Sequence, residues 1–277
     1  MRIVTTEIED LVSGIIIHQR RRMEVKEPLS MDLYTTRENV NKSTIEINAQ
    51  FVFMQLLIDR LLQIKYVKED KQELITYFKN QYENNKFELP RLEEFDRSYS
   101  PDNALWWYTR DSFFYRTLNV ALRERNLYVI YLYRSCISDI RRQLQQYQSK
   151  DRLLVYRGQS LSSDELDQLK QNVGQLISMN SFLSTTLKES MARLYLADTT
   201  QEDNSEKILF AIDADPAVVT TKPFADICTL SNFRSESEVL FMLGSLFRLD
   251  SITCSDDRLW TIGMTVCHAE TEQIQVS

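Results

Sequence analysis

The chain has 277 residues, 43% hydrophobic and 26% charged, which is ordinary for a globular protein of one large or two small domains. Its net charge of −7, without a basic tail or stripe, argues against binding nucleic acid through the phosphate backbone. The two histidines, His18 and His268, leave almost no material for a zinc site or a histidine-based triad, and we predict no metal.

The four cysteines are widely spaced and contain no C-x-x-C pair, which excludes zinc-ribbon and thioredoxin-like sites. We expect buried free thiols, with a Cys254–Cys267 disulfide as the alternative if the chain is secreted. Three acidic residues between positions 7 and 10 interrupt any apolar core of a secretory signal, and the apolar run 11–17 is too short to span a bilayer. We therefore predict a cytoplasmic protein without a membrane span, and we expect a monomer.

The first 150 residues contain a single glycine and long apolar patterns with helical periodicity, which predict a helical region. Two helices are predicted over residues 49–65 and 70–84. A third helix is predicted to begin at Ser100 and to run to about residue 122. Ser100 would cap this helix, Pro101 suits its first turn, and the acidic Asp102 would face the positive end of the helix dipole. A fourth follows over residues 130–147. We interpret the aromatic residues of this region as a helical core rather than a ligand site.

The second half alternates short β-rich runs with turns. Two capping boxes, Ser162-x-x-Glu165 and Thr186-x-x-Glu189, predict helix starts between the strands. A loop over residues 226–234 leads to Glu236. Strands are predicted at residues 153–156, 175–179, 182–185, 207–212, 239–243, 246–253 and 259–267.

Glu236 and Glu238 lie immediately before the apolar run Val239 to Met242. In an extended chain, residues two apart point to the same face, so the two carboxylates are expected side by side at the end of a buried strand. Like charges at that separation repel, and a purely structural strand end would tolerate the pair only with both carboxylates in solvent. The pair is therefore a candidate functional feature.

Three sequence blocks occur in a fixed order: V-Y-R-G at residues 155–158, S-F-L-S-T-T at residues 181–186, and E-S-E-V-L at residues 236–240. With their spacing, and with M-A-R at residues 191–193, they resemble the arginine-serine-glutamate class of mono-ADP-ribosyltransferases, which includes animal NAD:protein-arginine enzymes and clostridial binary toxins. The resemblance covers roughly residues 150–268. The helical segment before it is similar, less specifically, to one that some animal members carry.

The resemblance implies an α+β fold in which a helical N-terminal region, residues 1–150, packs against a catalytic core of two facing, mainly antiparallel sheets, residues 151–270. Residues 271–277 form a tail. Because no Gly/Pro/Ser-rich linker separates the two regions, we expect them to form one body.

The resemblance also implies that NAD is the substrate and is split between nicotinamide and ribose. Glu238 would stabilise the oxocarbenium-like transition state, and Ser184 would orient Glu238 and the ribose. Arg157 would hold the diphosphate. Among the other NAD-binding residues, Gly158 would leave room for its backbone to bind the nicotinamide amide, and Thr185 would support the strand and its loop.

The resemblance implies that two further residues determine which acceptor is bound. Glu236 would receive an arginine of a target protein, because a guanidinium stays protonated at neutral pH and needs a carboxylate to attract it and to help remove its proton. Phe233 could lie against that guanidinium, although a buried loop anchor is the equal alternative. The expected activity is transfer of ADP-ribose to protein arginine. The alternatives are an NAD glycohydrolase on the same fold and a non-catalytic interaction module.

Overall fold

The computed structural model describes residues 29–35, 42–65, 67, 69–197, 204–219, 221–232 and 237–268. Seven helices lie between the first strand and the second in these ranges, with a 3₁₀ turn at Pro101–Asn103. They are α1 Lys42–Gln63, α2 Glu69–Gln81, α3 Glu88–Ser98, α4 Ala104–Thr109, α5 Phe113–Arg123, α6 Leu127–Leu132 and α7 Arg134–Gln146. Within the same ranges, no helix is both long enough and apolar enough to cross a membrane.

The first two predicted helices are confirmed as α1 and α2, but the third is broken between α4 and α5. Arg110 is extended (φ −71°, ψ 139°), and its guanidinium binds both oxygens of Glu94 at 2.7 and 3.1 Å. The fourth predicted helix is likewise two helices, α6 and α7. Helix α3 was not predicted; its Pro90 lies in the first turn, where a missing N–H is tolerated.

The described ranges contain nine strands: β1 Met31–Tyr34, β2 Leu153–Ser162, β3 Leu176–Met179, β4 Leu183–Thr186, β5 Ser205–Ala214, β6 Phe224–Asp226, β7 Glu238–Phe241, β8 Ser245–Cys254 and β9 Leu259–Cys267. They form one sheet in the order β1-β3-β8-β9-β5-β2-β4-β7-β6. All pairs are antiparallel except β5 and β9, which run parallel. Helix α8, Ser163–Gln171, follows β2, and α9, Glu189–Ala197, follows β4.

The mixed helix-and-sheet class is as predicted, but the expected two sheets are joined into one. The junction is narrow, because β2 and β4 share a single registered pair, Tyr156 and Thr186. Away from it, β2 pairs along its whole length with β5, and β4 pairs with β7. Strand β1 was also unexpected, since it lies in the predicted helical region and pairs with β3 at the sheet edge.

The helices and the sheet share a hydrophobic core through strand β7. Val239 and Phe241 belong to a cluster formed mainly by the sheet, whereas Leu240 and Met242 belong to the cluster that fills the helical region. All four side chains are fully buried. Because successive residues of a strand point to opposite faces, β7 is covered on both sides. This double burial explains its unbroken apolar run.

The described structure has four free cysteines and excludes the Cys254–Cys267 disulfide. The two residues lie at opposite ends of the β8–β9 ladder, where Cys254 faces Trp260 and Cys267 faces Leu246. The prediction of buried thiols holds for Cys136, whose pKa burial raises to about 12, but not for Cys254, which is exposed.

A buried ion pair joins α2 to α7. Arg134 donates to Asp70 at 2.7 Å and to Glu73 at 2.8 Å, and the Arg134 and Asp70 side chains are only 7% and 6% exposed. Replacing Arg134 with alanine leaves the Asp70 carboxylate buried without its cation, and the free energy of unfolding should fall by about 3–5 kcal/mol. Urea titration followed by circular dichroism measures this change.

A matched control is Arg193→Ala, which removes the exposed pair with Glu189 on α9. That change should lower the free energy of unfolding by at most about 1 kcal/mol. Equal losses in the two variants would contradict the importance of burial at Arg134.

Candidate active site

Arg157 lies in the middle of β2 rather than at a strand end as predicted, because β2 continues to Ser162. Its guanidinium bridges two strands. Nη1 donates to the Ser184 carbonyl on β4 at 2.9 Å, while Nε and Nη2 both donate to Oε1 of Gln159, at 3.2 and 3.0 Å. Arg157 is half-buried and Gln159 is fully buried. A guanidinium held in this way presents a fixed positive charge beside the β2–β4 junction.

Ser184 and Glu238 meet across the β4–β7 pair. The Ser184 hydroxyl donates to Oε1 of Glu238, whose side chain is only 2% exposed. On the other carboxylate oxygen, the hydroxyl of buried Ser231 lies 3.5 Å from Oε2. Ser184 therefore joins the cation and the anion of the site, through its carbonyl to Arg157 and through its hydroxyl to Glu238.

Gly158 and Thr185 support the strands that carry these groups. A Cβ built on Gly158 would lie 2.5 Å from the carbonyl oxygen of Ala192 and 2.8 Å from Cγ of Leu196. Glycine is therefore required for the close packing of α9 on β2. Thr185 is buried, and its hydroxyl donates to the Val239 carbonyl at 2.8 Å, which strengthens the β4–β7 pair.

The strand alternation that predicts Glu236 beside Glu238 assumes an extended chain at Ser237. Strand β7 begins at Glu238, and Ser237 has a left-handed backbone with φ of +49°, so the chain is not extended through Ser237. A left-handed conformation in a residue other than glycine is uncommon, and it redirects the chain just before the buried carboxylate. Glu236 and Phe233 lie outside the described residues.

The loop after β6 is anchored to Glu238 and to the helical region. The Ile227 amide donates to the Glu238 carbonyl at 2.9 Å, and the Asn232 amide donates to the hydroxyl of fully buried Thr109 at 2.9 Å. Sequence reasoning missed Gln159, Ser231 and Thr109. Only Gln159 carried a usable signal, because a residue two positions after Arg157 on a strand shares its face.

A cysteine nucleophile is disfavoured in the same loop. Cys228 is partly exposed, and its hydrogen bond with Asp226 raises the pKa of the thiol. A raised pKa lowers the thiolate fraction, which is the reactive form. For metals, no set of three or more His, Cys, Asp or Glu side chains in the described part of the chain is arranged to hold an ion.

The geometry suits a reaction that develops positive charge in a substrate carrying an anionic group. A buried carboxylate stabilises a developing cation most strongly where solvent is excluded. A guanidinium with fixed orientation recognises phosphate oxygens through its planar donors. Arg157 and Glu238 supply these two groups on adjacent strands.

Comparison with known proteins gives one family match. A family model described as ADP-ribosyltransferase exoenzyme matches residues 63–265. The family match therefore includes most of the helices. The motifs found in the sequence, by contrast, extend the resemblance only over roughly residues 150–268. A comparison with curated proteins finds no match.

Solved structures of several bacterial proteins are similar to the chain. The Vis toxin, an ADP-ribosyltransferase from Vibrio splendidus, has 19% identity and a TM-score of 0.48, with 79% of this chain and 94% of that chain covered. The ADP-ribosyltransferase HopU1 of Pseudomonas syringae has 16% identity and a TM-score of 0.49, with coverage of 73% and 99%. C3stau2 from S. aureus, solved with NAD, has 18% identity and a TM-score of 0.43, with coverage of 61% and 88%.

Proposed function

Since the chain belongs to the ADP-ribosyltransferase exoenzyme family, we propose that it transfers ADP-ribose from NAD to arginine side chains of a target protein. The family assignment itself makes the chain a mono-ADP-ribosyltransferase with NAD as its substrate. The arginine acceptor and the residue roles below are the proposed part.

The main support for the proposal is that Ser184 contacts both charged groups of the site. Its carbonyl accepts from Arg157, and its hydroxyl donates to the buried carboxylate of Glu238. One residue thus fixes the relative placement of a cation for the NAD diphosphate and an anion for the reacting ribose.

In the proposed reaction, the bond between nicotinamide and ribose breaks and the bonding electron pair leaves with nicotinamide. Nicotinamide departs neutral from a cationic state, so the step needs no general acid and the scarcity of histidine is no obstacle. The ribose develops oxocarbenium character, and Glu238 stabilises that positive charge. Arg157 holds the diphosphate, and Gly158 and Thr185 support the NAD site through the packing described above.

Glu236 is proposed as the residue that receives the acceptor arginine. A guanidinium stays protonated at neutral pH, and its nitrogen must lose a proton as it bonds to the ribose. A second carboxylate, two positions before Glu238 in the sequence, can both attract the cation and take that proton. Phe233 is proposed to contact the same guanidinium.

Replacing Glu236 with glutamine should separate transfer from hydrolysis. Loss of the second carboxylate should reduce ADP-ribosylation of agmatine, a small guanidino acceptor, by about 10²-fold or more, while water, which needs no carboxylate to attract it, still attacks. Mass spectrometry of the ADP-ribosyl adduct and chromatography of released nicotinamide measure the two reactions.

Equal loss of both reactions would contradict the role given to Glu236. Nicotinamide release without any adduct from the wild-type protein would favour the NAD glycohydrolase alternative. An absence of both products from the folded wild-type chain would favour a non-catalytic interaction module.

We further propose a monomeric, cytoplasmic protein whose partner is a target protein rather than nucleic acid. Its proposed regions are the helical region of residues 1–150, the catalytic core of residues 151–270 and the tail of residues 271–277. Phosphate-backbone binding remains disfavoured by the net charge of −7.

A further inference from the structure

Gln159 is a fully buried polar neighbour of Arg157. Its side chain is 0% exposed, and its Oε1 accepts from both Nε and Nη2 of Arg157 at 3.2 and 3.0 Å. The two residues are two positions apart on β2 and therefore share a face. Because a guanidinium can only donate, the amide oxygen of Gln159 must be the atom that faces it.

Gln159 and the Ser184 carbonyl hold Arg157 from different strands. Gln159 holds the Nε–Nη2 edge from β2, and the Ser184 carbonyl holds Nη1 from β4. Three contacts in two directions define the plane of the guanidinium as well as its position. Strands β2 and β4 have only one registered residue pair, so Arg157 also ties together the narrow part of the sheet.

The chemical type of this acceptor matters as much as its position. A carboxylate at position 159 could accept the same two N–H groups, but its negative charge would offset the positive charge of Arg157. An amide oxygen orients the guanidinium and leaves its net charge unchanged. In a water-poor site this difference is large, because charge interactions there are weakly screened.

We propose that Gln159 is a positioning residue for NAD binding, which fixes the plane of Arg157 with a neutral acceptor so that the full charge acts on the diphosphate. The inference rests on the proposed function of Arg157 as the diphosphate ligand. It adds a residue that acts through Arg157 and does not itself need to touch NAD.

Two substitutions test the two parts of the proposal. Gln159→Leu keeps the approximate volume and removes the acceptor, and Gln159→Glu keeps the acceptor and adds a charge. Each should weaken NAD binding by about tenfold, the factor expected when hydrogen bonds to a charged group are lost or its charge is offset. NAD affinity is measured by calorimetry in a Glu238→Gln background, where NAD should be consumed at least about 10²-fold more slowly.

A control variant separates an effect on the position of Arg157 from a general effect on the packing of the core. Gln143 is another buried glutamine, whose side chain accepts from the Leu105 amide at 2.7 Å in the helical region. Gln143→Leu should lower the midpoint of thermal unfolding without changing NAD affinity, whereas the Gln159 variants should change NAD affinity in the folded protein.

Unchanged NAD affinity in either Gln159 variant would overturn the proposal. If Gln159→Leu does not fold, the Gln159→Glu arm still decides, because it preserves the two hydrogen bonds. Failure of the parent protein to bind NAD at all would instead overturn the proposed function, which keeps the two failures distinct.

Discussion

Replacing Glu238 with glutamine should reduce nicotinamide release from NAD by about 10²- to 10³-fold, the loss seen when one preorganised electrostatic group is removed from an active site. The glutamine has the same size and still offers an oxygen acceptor to Ser184, but it lacks the negative charge. Glu238 is 2% exposed, so little solvent is present to take over the role of its carboxylate. Initial rates of nicotinamide release measure the effect.

The fold should survive this change, which keeps the result interpretable. The backbone bond from Ile227 to the Glu238 carbonyl does not depend on the side chain. The new amide oxygen can accept from the Ser184 hydroxyl, and the new amide nitrogen can donate to the Ser231 hydroxyl, which lies near the second carboxylate oxygen. The midpoint of thermal unfolding should therefore stay within a few degrees of the parent value.

A matched control is Glu206→Gln on β5. Glu206 lies 3.3 Å from the indole N–H of Trp260, a contact that a glutamine can reproduce. This variant should retain full activity. If Glu238→Gln releases nicotinamide as fast as Glu206→Gln, Glu238 is not the group that stabilises the breaking bond.

A fragment that begins at residue 151 should fail to fold alone, although it contains every proposed catalytic residue. Several sheet-side side chains, at most 1% exposed, belong to the core cluster of the helical region: Ala225, Ile227, Leu240, Met242 and Leu243. Exposing any one of the four large side chains to solvent would lower the free energy of unfolding by about 1.5–3 kcal/mol. The sum of the four losses is about the whole stability of an ordinary domain.

Polar contacts between the first 150 residues and the sheet also predict that the fragment will not fold alone. Gln55 on α1 donates to the buried Ser178 hydroxyl at 2.5 Å and to the Gly244 carbonyl at 3.2 Å. Asp32 on β1 accepts from Asn180 at 2.8 Å. A fragment without α1 and β1 would leave these buried groups without their partners, and each such loss is destabilising.

The measurement is a two-dimensional NMR spectrum and a urea titration of fragment 151–277, alone and mixed with fragment 1–150. We expect poor dispersion alone and recovery of a cooperative transition on mixing. A dispersed spectrum and a cooperative transition of the isolated fragment would contradict the shared core. In that case the boundary at residue 150 would separate two folding units rather than two kinds of secondary structure.

Local sequence signals predicted most of the regular elements. The Ser162–Glu165 capping box is present, with the Glu165 carboxylate 2.8 Å from the Ser162 amide. Strand β9 has the predicted bounds. These features depend on neighbours along the chain, which a sequence displays directly. The break after α4 was missed because Arg110, extended at this point, is held by Glu94 of α3, a contact between residues 16 positions apart that local sequence patterns do not show.

For the site, the sequence by itself determined which residue types to consider, because the blocks around Arg157, Ser184 and Glu238 are each contiguous. It could not determine how these blocks meet. Only the tertiary structure decided that Ser184 contacts both charged groups and that Gln159 and Ser231 line the same arrangement. It also decided that Ser237 turns the chain out of the strand just before Glu238. The physical reason is that these contacts span up to 54 positions, and strand pairing across such distances is set by packing of the whole sheet rather than by local propensity.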